Sequence, residues 1–163
     1  MPKAISEGRL VSDNLAQDMS TAQQTSANRR SLIVEAFDHL PSAVLVLDSD
    51  LRLLSWNRTA RRMFGAASGH LGNGSTLESF LNALVDYEIV DLGETTGDQW
   101  VTEAMAAHVP GQTFDRYLTD GRTLRTRVTA SGDGLIAVYN DVTDLYLREA
   151  EIKSSRERLR RMN

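Results

Sequence analysis

Leu135-Ile136-Ala137-Val138-Tyr139-Asn140-Asp141-Val142-Thr143-Asp144 is the stretch on which the reading of this 163-residue chain turns. A β-favouring apolar run ends at Tyr139, and the sequence then becomes charged and helix-compatible to its end. The Asp141 carboxylate is placed to accept from the amide of Thr143 or Asp144 as a helix N-cap, and acids in a first turn suit the helix dipole. A sheet strand therefore feeds directly into a helix that leaves the domain.

Immediately upstream, Asp120-Gly121-Arg122 separates two strand-like runs. Asp-Gly between such runs predicts a type I′ hairpin, because both central residues of that turn need positive φ. Leu124 and Val128 face one side of the second run while Arg125 and Arg127 face the other, so one face of the strand is wet. Ser131-Gly132-Asp133-Gly134 is a second turn, and Phe114 to Leu118 opens a three-stranded meander that ends at Tyr139.

The N-terminal half adds two strands and several helices. Residues 1–28 are rich in Ser, Thr, Gln, Asn and Ala and carry no sustained apolar stripe, which predicts a flexible arm. Residues 29–41 place Leu32, Ile33, Ala36, Phe37 and Leu40 at helical spacing, and Pro41 stops that amphipathic helix. Ala43 to Leu47 reads as a buried strand, and Leu51 to Trp56 as its hairpin partner. Asn57 caps a short helix that ends at Gly65. Ser75 and Glu78 form a capping-box pattern for a helix carrying Phe80, Leu81 and Leu84, and Asp98 is placed to cap another carrying Trp100 and Met105. The expected fold is α+β: a five-stranded antiparallel sheet, short helices on one face with a hollow beneath them, and a helix at each end.

Composition excludes several classes. Zero cysteines rule out disulfides, thiol catalysis and cysteinyl-flavin chemistry. A net charge of −4 argues against nucleic-acid binding by the whole chain. No apolar run approaches the roughly 18 residues of a membrane span, so a cytoplasmic location is expected. The loop Gly69 to Ser75 lacks the lysine of a phosphate loop. Asp86, Glu88, Asp91, Glu94 and Asp98 match no calcium-loop spacing, so they read as a solvated acidic linker and no metal site is expected. No nucleophile elbow, zinc-protease motif or catalytic carboxylate pair is present, so the region is expected to be non-catalytic.

Four segments together resemble the PAS domains of bacterial sensor histidine kinases: Phe37 to Asp48, Leu51 to Gly65 with Trp56-Asn57-Arg58, Asp120-Gly121-Arg122, and Asp141-Val142-Thr143-Asp144. The resemblance implies a core over residues 42–140 and a signalling helix over 141–163. It implies a sensory and dimerisation module that relays a conformational change to a downstream output domain such as a histidine kinase, with Asp141 and Thr143 in signal transfer. The hollow implied by the family would be lined by Val46, Leu54, Trp56, Phe64, Phe80, Leu84, Trp100, Met105, Phe114, Leu124 and Ile136. Close packing argues instead for a core filled by side chains.

The cofactor stays unassigned. Haem would need an axial ligand such as histidine, and the chain offers His39, His70 and His108. His108 lies nearest the position the resemblance implies, but at a helix end it reads as a surface cap. A homodimer is expected through Ile33, Phe37 and Leu40 of the first helix and Leu145, Ile152 and Leu159 of the last, the latter recurring every seven residues. The alternatives are a ligand-independent assembly module and a haem or flavin redox sensor.

Overall fold

The computed structural model describes residues 4–163, with side chains from residue 8 onward. The chain divides into two compact units, residues 1–39 and 40–163. The first unit is one helix, α1 (Ala4–Asp38). This differs from the expected division into an arm over residues 1–28 and a separate helix from residue 29; the first three residues of that arm lie outside the described residues. No proline interrupts Ala4 to Asp38, and Ala, Gln, Leu and Arg recur along it, so a helix once nucleated can propagate. Side chains from Gly8 to Ala36 are exposed. The helix ends where the His39 N–H bonds the Glu35 and Ala36 carbonyls, just before Pro41, which disfavours helical geometry in the residue ahead of it.

The second unit contains β1 (Ala43–Leu47), β2 (Leu53–Trp56), α2 (Arg58–Met63), a 3₁₀ segment (Gly65–His70), α3 (Leu77–Asp86), α4 (Gly97–Ala107), β3 (Thr113–Tyr117), β4 (Thr123–Ser131), β5 (Gly134–Asp141) and α5 (Thr143–Met162). The five strands form one antiparallel sheet in the order β2-β1-β5-β4-β3. The first strand therefore joins the last, and the central pair β1–β5 is assembled from the two ends of the unit. No described helix is long and apolar enough to cross a membrane.

Alternation along the strands separates two faces. Leu45, Ala137 and Val128 are cross-strand partners on the face that joins the buried cluster with Phe64, Phe80, Leu81 and Leu84. Val46, Ile136 and Thr129 are partners on the opposite face. The hollow expected from the sequence is thereby corrected: Val46 and Ile136 point away from it, and Leu54 is 59% exposed.

Turns and caps explain the element boundaries. Asp120 keeps negative φ, and only Gly121 is left-handed, at φ +92°. The β3–β4 connection is therefore the longer turn closed by Gly121 N–H to Leu118 O at 3.1 Å, not the predicted type I′ pair. In the β4–β5 turn Gly132 has φ +61° while Asp133 does not, which fits the type II′ pattern. Gly134 is required for a different reason: a Cβ there would stand 2.0 Å from the Leu47 carbonyl oxygen. The cap of α3 is Thr76, not Ser75, and α4 is capped by a Thr96–Gln99 box with Asp98 in the first turn of the helix. In each case the hydroxyl that reaches the third amide onward takes the role.

Candidate functional site

Two neighbouring features carry chemistry in the second unit: a polar group inside the core and the join where β5 becomes α5.

The helical side of the sheet is closed. Phe64 stacks edge-on to Phe80 at 4.9 Å and to Tyr139 at 5.2 Å between ring centres. Among Phe64, Leu84, Trp100, Phe114, Leu124 and Tyr139 a cavity of about 20 Å3 remains, also touched by His108 and Arg116. That is room for about one water, which needs roughly 10–15 Å3. Of the residues expected to line a hollow, Phe64, Leu84, Trp100, Phe114 and Leu124 do surround this space. Phe80 is fully buried behind them, while Trp56 and Met105 pack half-buried against the cluster.

His108 is corrected from a surface cap to a core residue, 4% exposed. Its Nδ1 lies 2.7 Å from the Ala104 carbonyl, which can only accept, so Nδ1 carries the proton. Nε2 then accepts from the Tyr139 hydroxyl at 2.7 Å. Burial holds His108 below the ordinary histidine value despite the Ala104 bond, and burial raises Tyr139 above the ordinary tyrosine value. Both imidazole nitrogens are thus engaged, and a space of about 20 Å3 accommodates neither haem nor flavin, so the site as built does not fit these groups. His39 lies at the end of α1 and His70 ends the 3₁₀ segment beside Tyr87.

Arg116 was missed by the sequence reading. It shares the inner face with its partner Leu124, and its guanidinium lies 4.6 Å from the centre of the Phe114 ring and 5.5 Å from that of Trp100. Its Nε is buried without a hydrogen-bond partner among the described residues. The signal was available, because alternation from Phe114 puts Arg116 on the apolar side. An inward charge on an edge strand also discourages edge-to-edge pairing.

The Trp56-Asn57-Arg58 segment owes its position to Asn57, which is fully buried. Its Oδ1 accepts from Val44 N–H at 3.0 Å and Ala60 N–H at 3.1 Å, and its Nδ2 donates to Ser42 O at 2.9 Å. One side chain thereby caps α2 and ties it to β1. Arg122 does similar work on the far side, pairing with Asp120 at 2.7 Å and donating to Met63 O at the end of α2 at 3.0 Å.

The strand-to-helix join is bracketed by Thr123. Its carbonyl accepts from Val142 N–H at 2.9 Å, and its N–H donates to Thr143 Oγ1 at 2.9 Å. Thr143 in turn donates its N–H to Asp141 Oδ1 at 3.0 Å, and its hydroxyl donates to the same oxygen. The expected Asp141–Thr143 contact is present, although Val142 occupies the cap position itself. The role of Thr123 was not legible, because nothing in the sequence links residue 123 to residue 143. The expected dimer residues Ile33, Leu40, Leu145, Ile152 and Leu159 are exposed by 43% to 62%, and Phe37 is half-buried.

A family model described as PAS fold matches residues 37–151. No curated protein matches the sequence. The chain is similar to the PAS domain of an HTR-like protein from Haloarcula marismortui, at 13% identity over 75% of this chain and 98% of that one, with a TM-score of 0.46. It is also similar to the PAS domain of BvgS from Bordetella pertussis, at 16% identity over 83% of this chain and 98% of that one, with a TM-score of 0.49. A further likeness is to the PAS domain of nitrogen regulation protein NR(II) from Vibrio parahaemolyticus, at 14% identity over 68% and 97%, with a TM-score of 0.35.

Proposed function

The chain belongs to the PAS fold family, whose members are sensory modules of signalling proteins such as sensor kinases, and from that premise we propose that it is a non-catalytic, cytoplasmic relay. It dimerises through α1 and α5 and passes a conformational change in residues 42–140 to an output domain, such as a histidine kinase, joined beyond α5. The observation that carries this reading is the bracket at Thr123, Asp141 and Thr143. A shift of β5 against β4 changes the carbonyl that accepts from Val142 N–H and the hydroxyl that accepts from Thr123 N–H together, so sheet movement reaches the first turn of α5. Two packings separated by a few kcal/mol suffice for such a switch.

Asp141→Ala in a chimera joined to a kinase catalytic core tests the relay. The expected result is altered output with a folded core; unchanged output removes Asp141 from signal transfer. Native mass spectrometry of the protein from its own host tests assembly and input. A dimer with a defined added mass supports a ligand-sensing module, and a monomer counts against the helical dimer.

A second reading, a ligand-independent assembly module, draws on the cavity of only about 20 Å3. A dimer of bare chain mass, unaltered by Asp141→Ala in output, would favour it.

A further inference from the structure

Thr143 is not the only residue that ties α5 to the sheet. Asp115 on β3 and Arg125 on β4 are cross-strand partners on the outer face, opposite Arg116 and Leu124. They form a two-pronged pair, with Arg125 Nε 3.0 Å from Asp115 Oδ1 and Nη2 3.3 Å from Oδ2. Tyr146, in the first turn of α5, enters this pair as a third member. Its hydroxyl donates to Asp115 Oδ2 and accepts from Arg125 Nη2 at 3.1 Å, while its ring lies 5.8 Å from the Arg125 guanidinium carbon. The bond from Arg125 holds the Asp115 carboxyl below the ordinary range, so the acceptor stays ionised at neutral pH.

Thr143 and Tyr146 stand three residues apart and so share one face of the helix. One tie leaves a helix free to swing about its attachment; two ties on one face fix both its direction and its rotation. The ties also differ in kind. Thr123–Thr143 is a partly buried bond to a backbone amide, whereas both bonds of the Tyr146 hydroxyl are exposed, so water can replace the hydroxyl while the half-buried Asp115–Arg125 pair stays in place. The outer tie therefore opens first when α5 is displaced.

We propose that Tyr146, Asp115 and Arg125 form a latch that sets the direction and rotation of α5, and that its opening precedes any movement at Thr143. The latch rests on the relay reading above, in which α5 carries the output. Tyr146 and Asp115 are positioning residues: they act through the helix.

The test uses the full chain, which has no native cysteine. Spin labels at Asp133→Cys in the β4–β5 turn and Ser154→Cys in α5 report the distance from core to helix, with labelled chains diluted into unlabelled ones. The expected result is a narrow distribution in the parent chain. Tyr146→Phe and Asp115→Asn each broaden it and raise the displaced fraction about three-fold, with core stability in urea unchanged. An unchanged distribution in both variants overturns the latch, as does broadening that follows a general loss of core stability. Should Asp115→Asn fail to fold, Tyr146→Phe decides, since it removes one surface oxygen and keeps the ring. Broadening by Tyr146→Phe alongside a silent Asp141→Ala chimera would keep the latch and remove the relay. Unchanged distances alongside an altered Asp141→Ala chimera would do the reverse.

Discussion

The imidazole Nε2 of His108 and the hydroxyl of Tyr139 meet at 2.7 Å inside the core, joining the end of α4 to the middle of the sheet. With Tyr139 as donor the bond needs a neutral imidazole; a protonated Nε2 would have to donate to the hydroxyl instead and would place a positive charge in the core. Arg116 nearby also disfavours a second positive charge.

Stability should accordingly fall in mild acid. His108 is held below its unfolded value of 6.5, so the unfolded chain binds the proton more readily than the folded one. The stabilising contribution is complete above pH 6.5 and is lost as pH falls from there through the folded value. Urea titrations at neutral and mildly acidic pH should show the loss, and His108→Leu should flatten it in that window. An equal acid dependence in His108→Leu would assign the effect to other groups.

Asn57→Ala should cost about 3 kcal/mol, because it removes a helix cap and leaves the Val44 amide and the Ser42 carbonyl short of a partner. Asn57→Asp keeps the acceptor and loses the donor, but places a charge in the core. Both should lower the denaturation midpoint, and an Asn57→Ala midpoint equal to the parent's would show that α2 is held in some other way.

The two glycines flanking Asp133 should respond unequally to alanine. Gly132→Ala meets open space and only the strain of φ +61°, about 1 kcal/mol. Gly134→Ala drives a Cβ into the backbone at Leu47 and Asp48, and a cost above about 3 kcal/mol is expected. Thermal denaturation of the pair tests the order, and equal losses would contradict the close approach.

Ile152→Asp should weaken self-association while leaving the core untouched, since Ile152 is 53% exposed. Sedimentation would report at least a ten-fold weaker dimer if Ile152 lies at the seam, by analogy with core positions of a coiled coil, where every 1.4 kcal/mol is about ten-fold. An unaffected dimer would shift the interface to α1 or the sheet.

The sequence alone determined the element order, the antiparallel α+β class and the place where the sheet hands over to α5. Those features are written locally: alternation in Leu124 to Val128, Gly at the turns, Asn57 before a helix, and Asp141 two residues before Thr143. The fold family was legible for the same reason, since its segments are short and contiguous.

What only the tertiary structure decided concerns residues distant in the chain. Register sent Val46 and Ile136 to the outer face although their composition suits a core, because a single-residue step along a strand reverses the side chain. Burial turned His108 from a cap into a member of the core, a consequence of Tyr139 arriving from β5 with a hydroxyl to donate. The Thr123–Thr143 bracket and the meeting of Asp115, Arg125 and Tyr146 are likewise products of strand pairing. Local pattern records which face a side chain prefers. Which partner awaits it there is set by packing, and no one-dimensional spacing carries that information.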